Sequence, residues 1–378
     1  MSLARPRDLE RTAGQLRNWL VGKLLGVTDV TVSDVVVPHA HPMSTETIMF
    51  RAAWKRLGVP SSARYIAKIA PAGPGVFPRY DMVTEQWVMQ ALSVHSAAPV
   101  PPAPWVETDP SVLGAPFLIM ERVDGRVARD DPPYTAQGWI LDLTPDQRAR
   151  MWDNGLVALS QLHAADYHAL GLDFLDRPEL GVTPLEQHIA AWRAHYERTI
   201  DGEPNPTLEA GFAWVEANRP GDEPTVLNWG SARVGNLLFG DDLSVTGVLD
   251  WKLVGLASPE MDLGWWLFVQ RHHTEGMGLE LPAGIPDHAA TIGRYTELTD
   301  HHVRYAEFYE VFAGLRLSIL VHRMANLMQS DRGWAGGTLP ADSPMKFSNP
   351  ASHLLARLVG APAPSGVSQS LIRKRVIS

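Results

Sequence analysis

The chain has 378 residues, 33 basic and 42 acidic side chains for a formal charge of −9, 45% apolar residues and no cysteine. Without cysteine there is no disulfide scaffold, thiolate nucleophile, thiolate zinc site or iron–sulfur cluster, and the acidic total argues against a surface that wraps nucleic acid. The length suits two or three units of roughly 100–200 residues, each able to bury its own core.

The opening stretch MSLARPRDLERTAGQLRNWL is charged throughout, so no signal peptide is expected. Residues 8–26 place Leu9, Leu16, Trp19, Leu20 and Leu24 at helical spacing. From 29 to 123 short β-rich runs dominate: DVTVSDVVV, ETIMFRAAW and ARYIAKIA, then APWVETD and PFLIMERV. Between the third and fourth lies TEQWVMQALSVHS, an amphipathic helix stopped by Pro99, Pro101 and Pro102. Strand, strand, strand, helix, strand, strand makes a small, mostly antiparallel α+β domain, set at residues 1–124.

After the turn Asp124-Gly125 and the proline-rich loop ARDDPPYTAQG, residues 125–378 read as mainly helical. Thr144-Pro145-Asp146 is a helix start leading into QRARMWDNGLVALSQLHAADY. Further helices are predicted over PLEQHIAAWRAHYERTI, LEAGFAWVEANR, MDLGWWLFVQRHH and AEFYEVFAGLRLSILVHRMANLMQ. One β island interrupts them, PTVLNWGSARVGNLLFGDDLSVTGVLDWKLVG, in which two strand-like runs flank a loop. A small β domain hinged to a helical one implies a ligand cleft between lobes. No apolar run reaches about 18 residues, so no membrane partner is expected and the cytoplasm is the default location.

The island carries the chemistry. Trp229-Gly230-Ser231-Ala232-Arg233-Val234-Gly235-Asn236, followed by Asp250-Trp251, resembles the catalytic and metal segments of the aminoglycoside phosphotransferase-like kinases, small-molecule kinases sharing the protein-kinase fold. The resemblance runs along nearly the whole chain: Ser44 in HAHPMSTET falls in the phosphate-covering loop, Lys68 in YIAKIAP matches the strand-three cation, and Glu85 in TEQWVMQAL its helical partner. PFLIMERVDG matches the hinge that receives adenine, at Glu121 and Val123, while ALSQLHAAD and Ser258-Pro259-Glu260-Met261-Asp262-Leu263 match helical landmarks.

What the resemblance implies is a two-lobe, ATP- and Mg²⁺-dependent phosphotransferase acting on the hydroxyl of a small molecule. Lys68 would hold the phosphates, Glu85 would aim Lys68, Asn236 and Asp250 would hold magnesium, and Arg233 would sense charge near the acceptor. Phosphoryl transfer through a loose transition state asks the protein mainly to position groups and neutralise charge, which suits those residue types.

Three positions depart from the family pattern. The catalytic aspartate, five residues before the asparagine, is Ser231, whose neutral hydroxyl is no general base; such a base contributes roughly 10²–10⁴-fold. Lys252 follows the Asp-Trp pair where the family has an acid, and the phosphate loop contains Pro42 and no glycine. The departures define a second expectation, a catalytically impaired pseudokinase that binds nucleotide or a metabolite as a sensor or scaffold. Of the remaining features, Asp262 reads as a helix cap, and the pairs His39/His41, His272/His273 and His301/His302 as surface imidazoles rather than zinc ligands. The tryptophans read as core and pocket walls, and the basic tail SQSLIRKRVIS as an unstructured end.

Overall fold

The structure, a computed structural model, describes residues 7–38, 45–200, 202–330 and 338–370. Ser44 and Pro42 of the expected phosphate loop, and most of the basic tail, lie outside the described residues. The chain divides into two compact units, one of 1–94, 101–123 and 327–338, the other of 95–100, 124–326 and 339–378.

The first unit has the order expected from the sequence: helix α1 (Leu9–Lys23), strands β1 (Val27–Val36), β2 (Glu46–Arg56) and β3 (Val59–Ile69), helix α2 (Met82–His95), then β4 (Trp105–Glu107) and β5 (Phe117–Glu121). The five strands form one antiparallel sheet in the order β1-β2-β3-β5-β4. Its inner face packs on α1, where Leu16 and Leu20 meet Ile48, Phe50, Ala67 and Phe117. Alternation along β3 buries Tyr65, Ala67 and Ile69 on that face, which turns Lys68 to the other, opposite Thr47 of β2 and Leu118 of β5.

The second unit is mainly helical, with α3 (Pro145–His163), α4 (Pro184–Glu197), α5 (Pro206–Ala217), α6 (Glu260–His273), α7 (His288–Thr299), α8 (Ala306–Gln329, its last residues counted in the first unit) and α9 (Pro350–Leu358). α3 and α4 start on full capping boxes, Thr144 with Gln147 and Thr183 with Glu186, each with proline in the first turn. The β island is richer than its sequence suggested. β6 (Arg126–Val127), β8 (Leu237–Phe239) and β9 (Val245–Val248) make one small sheet, and β7 (Val226–Asn228) pairs with β10 (Gly255–Ala257) in another. Two helices escaped the sequence reading. α7 buries only Thr291 and Tyr295, too sparse an apolar stripe to show a period, and α9 is nine residues long, held by an Asn349/Ser352 capping box. Among the described residues no helix is long and apolar enough to cross a membrane.

Candidate active site

In the first unit the structure joins Lys68 and Glu85. Asp81 starts α2 by accepting from the Thr84 backbone N–H (3.0 Å) and hydroxyl (2.7 Å), and the first turn then aims Glu85 at β3. Its Oε2 forms an ion pair with Lys68 Nζ, the side chains being 13% and 2% exposed respectively. Among the described residues, Glu85 Oε1 is buried with no hydrogen-bond partner. At the end of β5, where the sequence predicts a hinge, Arg122 turns its N–H toward β3, onto Arg64 O at 2.8 Å, and Glu121 turns its own the other way, onto Pro102 O at 2.8 Å. The N–H groups of Glu121 and Arg122 thus point to opposite edges, as in any extended strand.

In the second unit the loop after β7 is fixed from below. Asp262, fully buried on α6, accepts from the backbone N–H groups of Trp229 (2.6 Å) and Gly230 (2.7 Å) and contacts His163 Nε2 at 3.2 Å. The helix-cap reading of Asp262 is therefore corrected: the N-cap position of α6 is Pro259, without a side-chain cap, and the carboxylate serves the loop. Arg316 of α8, also buried, donates to Gly230 O at 2.9 Å and lies over the Trp265 ring at 4.6 Å. Burial lowers its pKa to about 10, partly countered by the Asp262 charge. Neither anchor was legible as such, because each acts from a helix remote in sequence. Gly230 takes φ +81°, and a Cβ there would stand 2.0 Å from Leu253 O, so the turn requires glycine.

Beyond this anchor the loop brings Ser231, Arg233 and Asn236 together. Ser231 is 3% exposed, and its backbone carbonyl accepts from Asn236 Nδ2 at 2.9 Å. Arg233 forms an ion pair with Asp130 and donates from Nη2 to Asn236 Oδ1 at 3.1 Å. Asp130, from the proline-rich loop, was not singled out in the sequence. It lies so close over Gly235 that a Cβ at that glycine would meet its Oδ1 at 2.5 Å. Behind it sit His272 and His273, buried at 7% and 3% exposure and not on the surface as expected. Desolvation lowers their pKa values to about 3 and about 4; with His273 Nε2 3.9 Å from Asp130 Oδ1, they form a neutral wall.

Asp250 follows β9, whose pairing with β8 sets it beside Asn236: Leu249 N donates to Asn236 O at 2.9 Å. Its φ of +66° is unusual for a residue with a side chain. The Asp250 carboxylate is ion-paired with Lys252, two residues on. Both oxygens that the resemblance gives to magnesium thus face cations, Asp250 facing Lys252 and Asn236 Oδ1 facing Arg233. Among the described residues no group of three or more histidines and carboxylates could hold a metal. As arranged, this donor set does not fit a divalent ion.

A five-stranded antiparallel sheet bearing a lysine–glutamate pair, and a helical unit bearing an anchored Gly-Ser-x-Arg-x-x-Asn loop before a strand-end aspartate, define a kinase-like α+β protein. The sequence profile of the phosphotransferase enzyme family matches residues 51–290, and the chain belongs to that family. Among solved structures, a protein of Ralstonia eutropha assigned as an aminoglycoside phosphotransferase superposes with a TM-score of 0.64 at 21% identity, covering 92% of this chain and 98% of its own. A macrolide 2′-phosphotransferase type I gives 0.53 at 15%, covering 88% and 95%. At these identities the likeness is one of fold. Curated relatives are similar over a shorter stretch. IBR3 of Arabidopsis thaliana, assigned as an acyl-CoA dehydrogenase, is 29% identical over 213 residues, 54% of this chain and 25% of that protein. Human acyl-CoA dehydrogenase family member 11 is 26% identical over 201 residues, 53% and 24% respectively. The chain spans about a quarter of the length of these relatives.

Proposed function

We propose that this chain binds a nucleoside triphosphate, ATP in the first instance, through Lys68 and Glu85 and passes its terminal phosphoryl group to the hydroxyl of a small molecule. The observation that supports this most is the buried Lys68–Glu85 ion pair in a member of a phosphotransferase family. Withdrawing both charges from water is costly, and an ammonium held in one direction returns that cost when it meets phosphate. Glu121 and Val123 would receive the base, Ser44 would lie in the phosphate loop, and Arg233 and Asn236 would shape the acceptor side. The relatives named as acyl-CoA dehydrogenases make a hydroxylated acyl thioester the first acceptor to test.

With Ser231 at the position of the family's catalytic aspartate, the acceptor proton has no carboxylate at that place, and the nearby Asp130 carboxylate is ion-paired through Oδ2 with Arg233. Turnover is expected to be slow, by up to the roughly 10²–10⁴-fold that a general base supplies. Ser231 is also the observation favouring a second reading, in which nucleotide or a metabolite is bound and little phosphate is moved.

A thermal-shift titration with ATP tests the binding step. Saturation at about 100 times Kd adds about 2.7 kcal/mol, and Lys68→Met is expected to abolish the gain. Absence of any shift in the wild type refutes the proposal. Mass-spectrometric detection of a phosphorylated hydroxyacyl thioester by the wild type supports transfer; product only from Ser231→Asp favours the second reading.

A further inference from the structure

We propose that the Asn236–Asp250 site works without a divalent cation, because Lys252 neutralises Asp250 from within the protein and Arg233 occupies Asn236 Oδ1. The inference rests on the nucleotide-binding reading above and concerns how the second unit handles charge. Lysine is among the residues least often buried unless paired, yet the Lys252 side chain is 2% exposed while the Asp250 carboxylate to which it is bound is 21% exposed. The ammonium therefore lies behind the carboxylate, on the protein side. Asp250 is also held at a positive φ, which sets the direction in which its side chain leaves the backbone.

The charge count at this spot explains what the lysine does. With an acid at 252, as the resemblance would have it, that residue and Asp250 would together carry −2. A divalent ion would be needed before a polyanionic phosphate chain could approach. Lysine changes the sum by two units, the charge of one divalent ion, and brings the pair to zero. Arg233 and Asp130 make a second neutral pair, and Arg233 Nη2 directs its proton at the amide oxygen that a metal would otherwise use. A metal placed on Asp250 would meet the Lys252 ammonium close behind the carboxylate, and two cations on one carboxylate repel. Lys252 is thus a positioning residue with a charge role, and it need not touch the ligand.

Two measurements test this on the full chain. Direct Mn²⁺ binding, read by electron paramagnetic resonance without nucleotide, is expected to show no site in the wild type up to millimolar metal, and a new site in Lys252→Glu that disappears in Lys252→Glu/Asp250→Asn. Calorimetric titration of ATP is expected to give wild-type affinities within about 3-fold of each other in excess MgCl₂ and in EDTA, while Lys252→Glu binds at least 10-fold tighter with MgCl₂. Lys252→Met, which keeps the buried stem, guards against misfolding of the glutamate variant and is expected to show a smaller metal preference of the same sign. A wild-type Mn²⁺ site lost on Asp250→Asn, or wild-type ATP affinity that falls 10-fold or more in EDTA, overturns the proposal. If ATP binds under no condition, the nucleotide reading fails and the Mn²⁺ result alone still decides whether Lys252 excludes the metal.

Discussion

Asp262→Asn tests the architecture of the site most sharply. The carboxylate is fully buried and accepts two backbone N–H bonds, from Trp229 at 2.6 Å and Gly230 at 2.7 Å, with His163 Nε2 at 3.2 Å. An amide of the same shape keeps one oxygen. One of the two N–H groups then faces an NH₂ and is left unsatisfied, and the other exchanges a charged acceptor for a neutral one. Hydrogen bonds to charged groups contribute about 1.5–3 kcal/mol and an orphaned buried donor costs about 1–3. Arg316, fully buried, also loses the anion that counters its desolvation. Removing one partner of such a set costs about 3–5 kcal/mol, equivalent to a fall of roughly 6–20 °C in melting temperature for a unit of this size. Urea unfolding gives the global loss. Amide exchange gives the local one, in which Trp229 and Gly230 are expected to exchange about 100-fold faster or more. A loss below about 1 kcal/mol with unchanged exchange at those amides would mean that the loop is positioned by something other than Asp262.

Other predictions follow from the same geometry. Glu85→Gln removes the carboxylate paired with Lys68, so ATP affinity measured by calorimetry is expected to fall about 10-fold; an unchanged Kd would remove the pair from the binding account. Gly230→Ala forces a Cβ against Leu253 O at φ +81°, and is expected to cost about 2 kcal/mol or more in urea unfolding and to abolish ligand binding, whereas a silent variant would mean that the turn is not the one described. Acid should unfold the protein early. His272, His273 and His322 have pKa values lowered by burial from 6.5 to about 3, 4 and 4. The unfolded chain therefore takes up their protons below about pH 6.5, while the folded chain refuses them until about pH 4. Stability is whole above pH 6.5 and falls toward pH 4, by about 2 kcal/mol per histidine at pH 5. Urea midpoints at pH 7.5 and 5.0 measure it, and equal or higher stability at pH 5.0 contradicts the burial argument.

What the sequence disclosed and what it withheld divide along a physical line. Lys68 and Glu85 were singled out by resemblance to a family pattern, and the strand and helix that carry them were legible because alternation and helix phase are local. Ser231, Arg233, Asn236 and Asp250 share one short β island, and the match of their spacing to that pattern was the signal. The supports were not legible, because a buried polar group is defined by what surrounds it in space. Asp262 looked like a cap since a carboxylate in a first helical turn ordinarily is one; what it serves lies more than thirty residues earlier, at Trp229 and Gly230. Asp130 sat in a proline-rich loop with nothing to mark it, and Arg316 lay in an apolar helix, where an arginine reads as an interruption. The adjacent histidines His272 and His273 were placed on the surface because helical neighbours point apart, yet α6 is buried on nearly every side, so both directions lead inward.

Several features that cost stability converge on the loop that the proposed function uses. A fold that needed only stability would gain by replacing buried ions with apolar side chains of similar volume, an exchange that is often neutral or stabilising by 1–4 kcal/mol. This chain keeps several buried charges around one loop: Asp262 beneath its backbone, Arg316 on the Gly230 carbonyl, and Lys252 behind Asp250. It adds a non-glycine residue at positive φ in Asp250 and a glycine turn that tolerates no substituent at Gly230. Each fixes the position of the loop or the charge that it presents, and none fills a core better than leucine would. Two of the three changes from the family pattern, Ser231 and Lys252, fall on the loop and beside Asp250, whereas the anchors Asp262 and Arg316 hold the loop's backbone. Under the proposed function, geometry maintained at that expense beside Ser231 and Lys252 is what a site adapted to a different charge balance would keep.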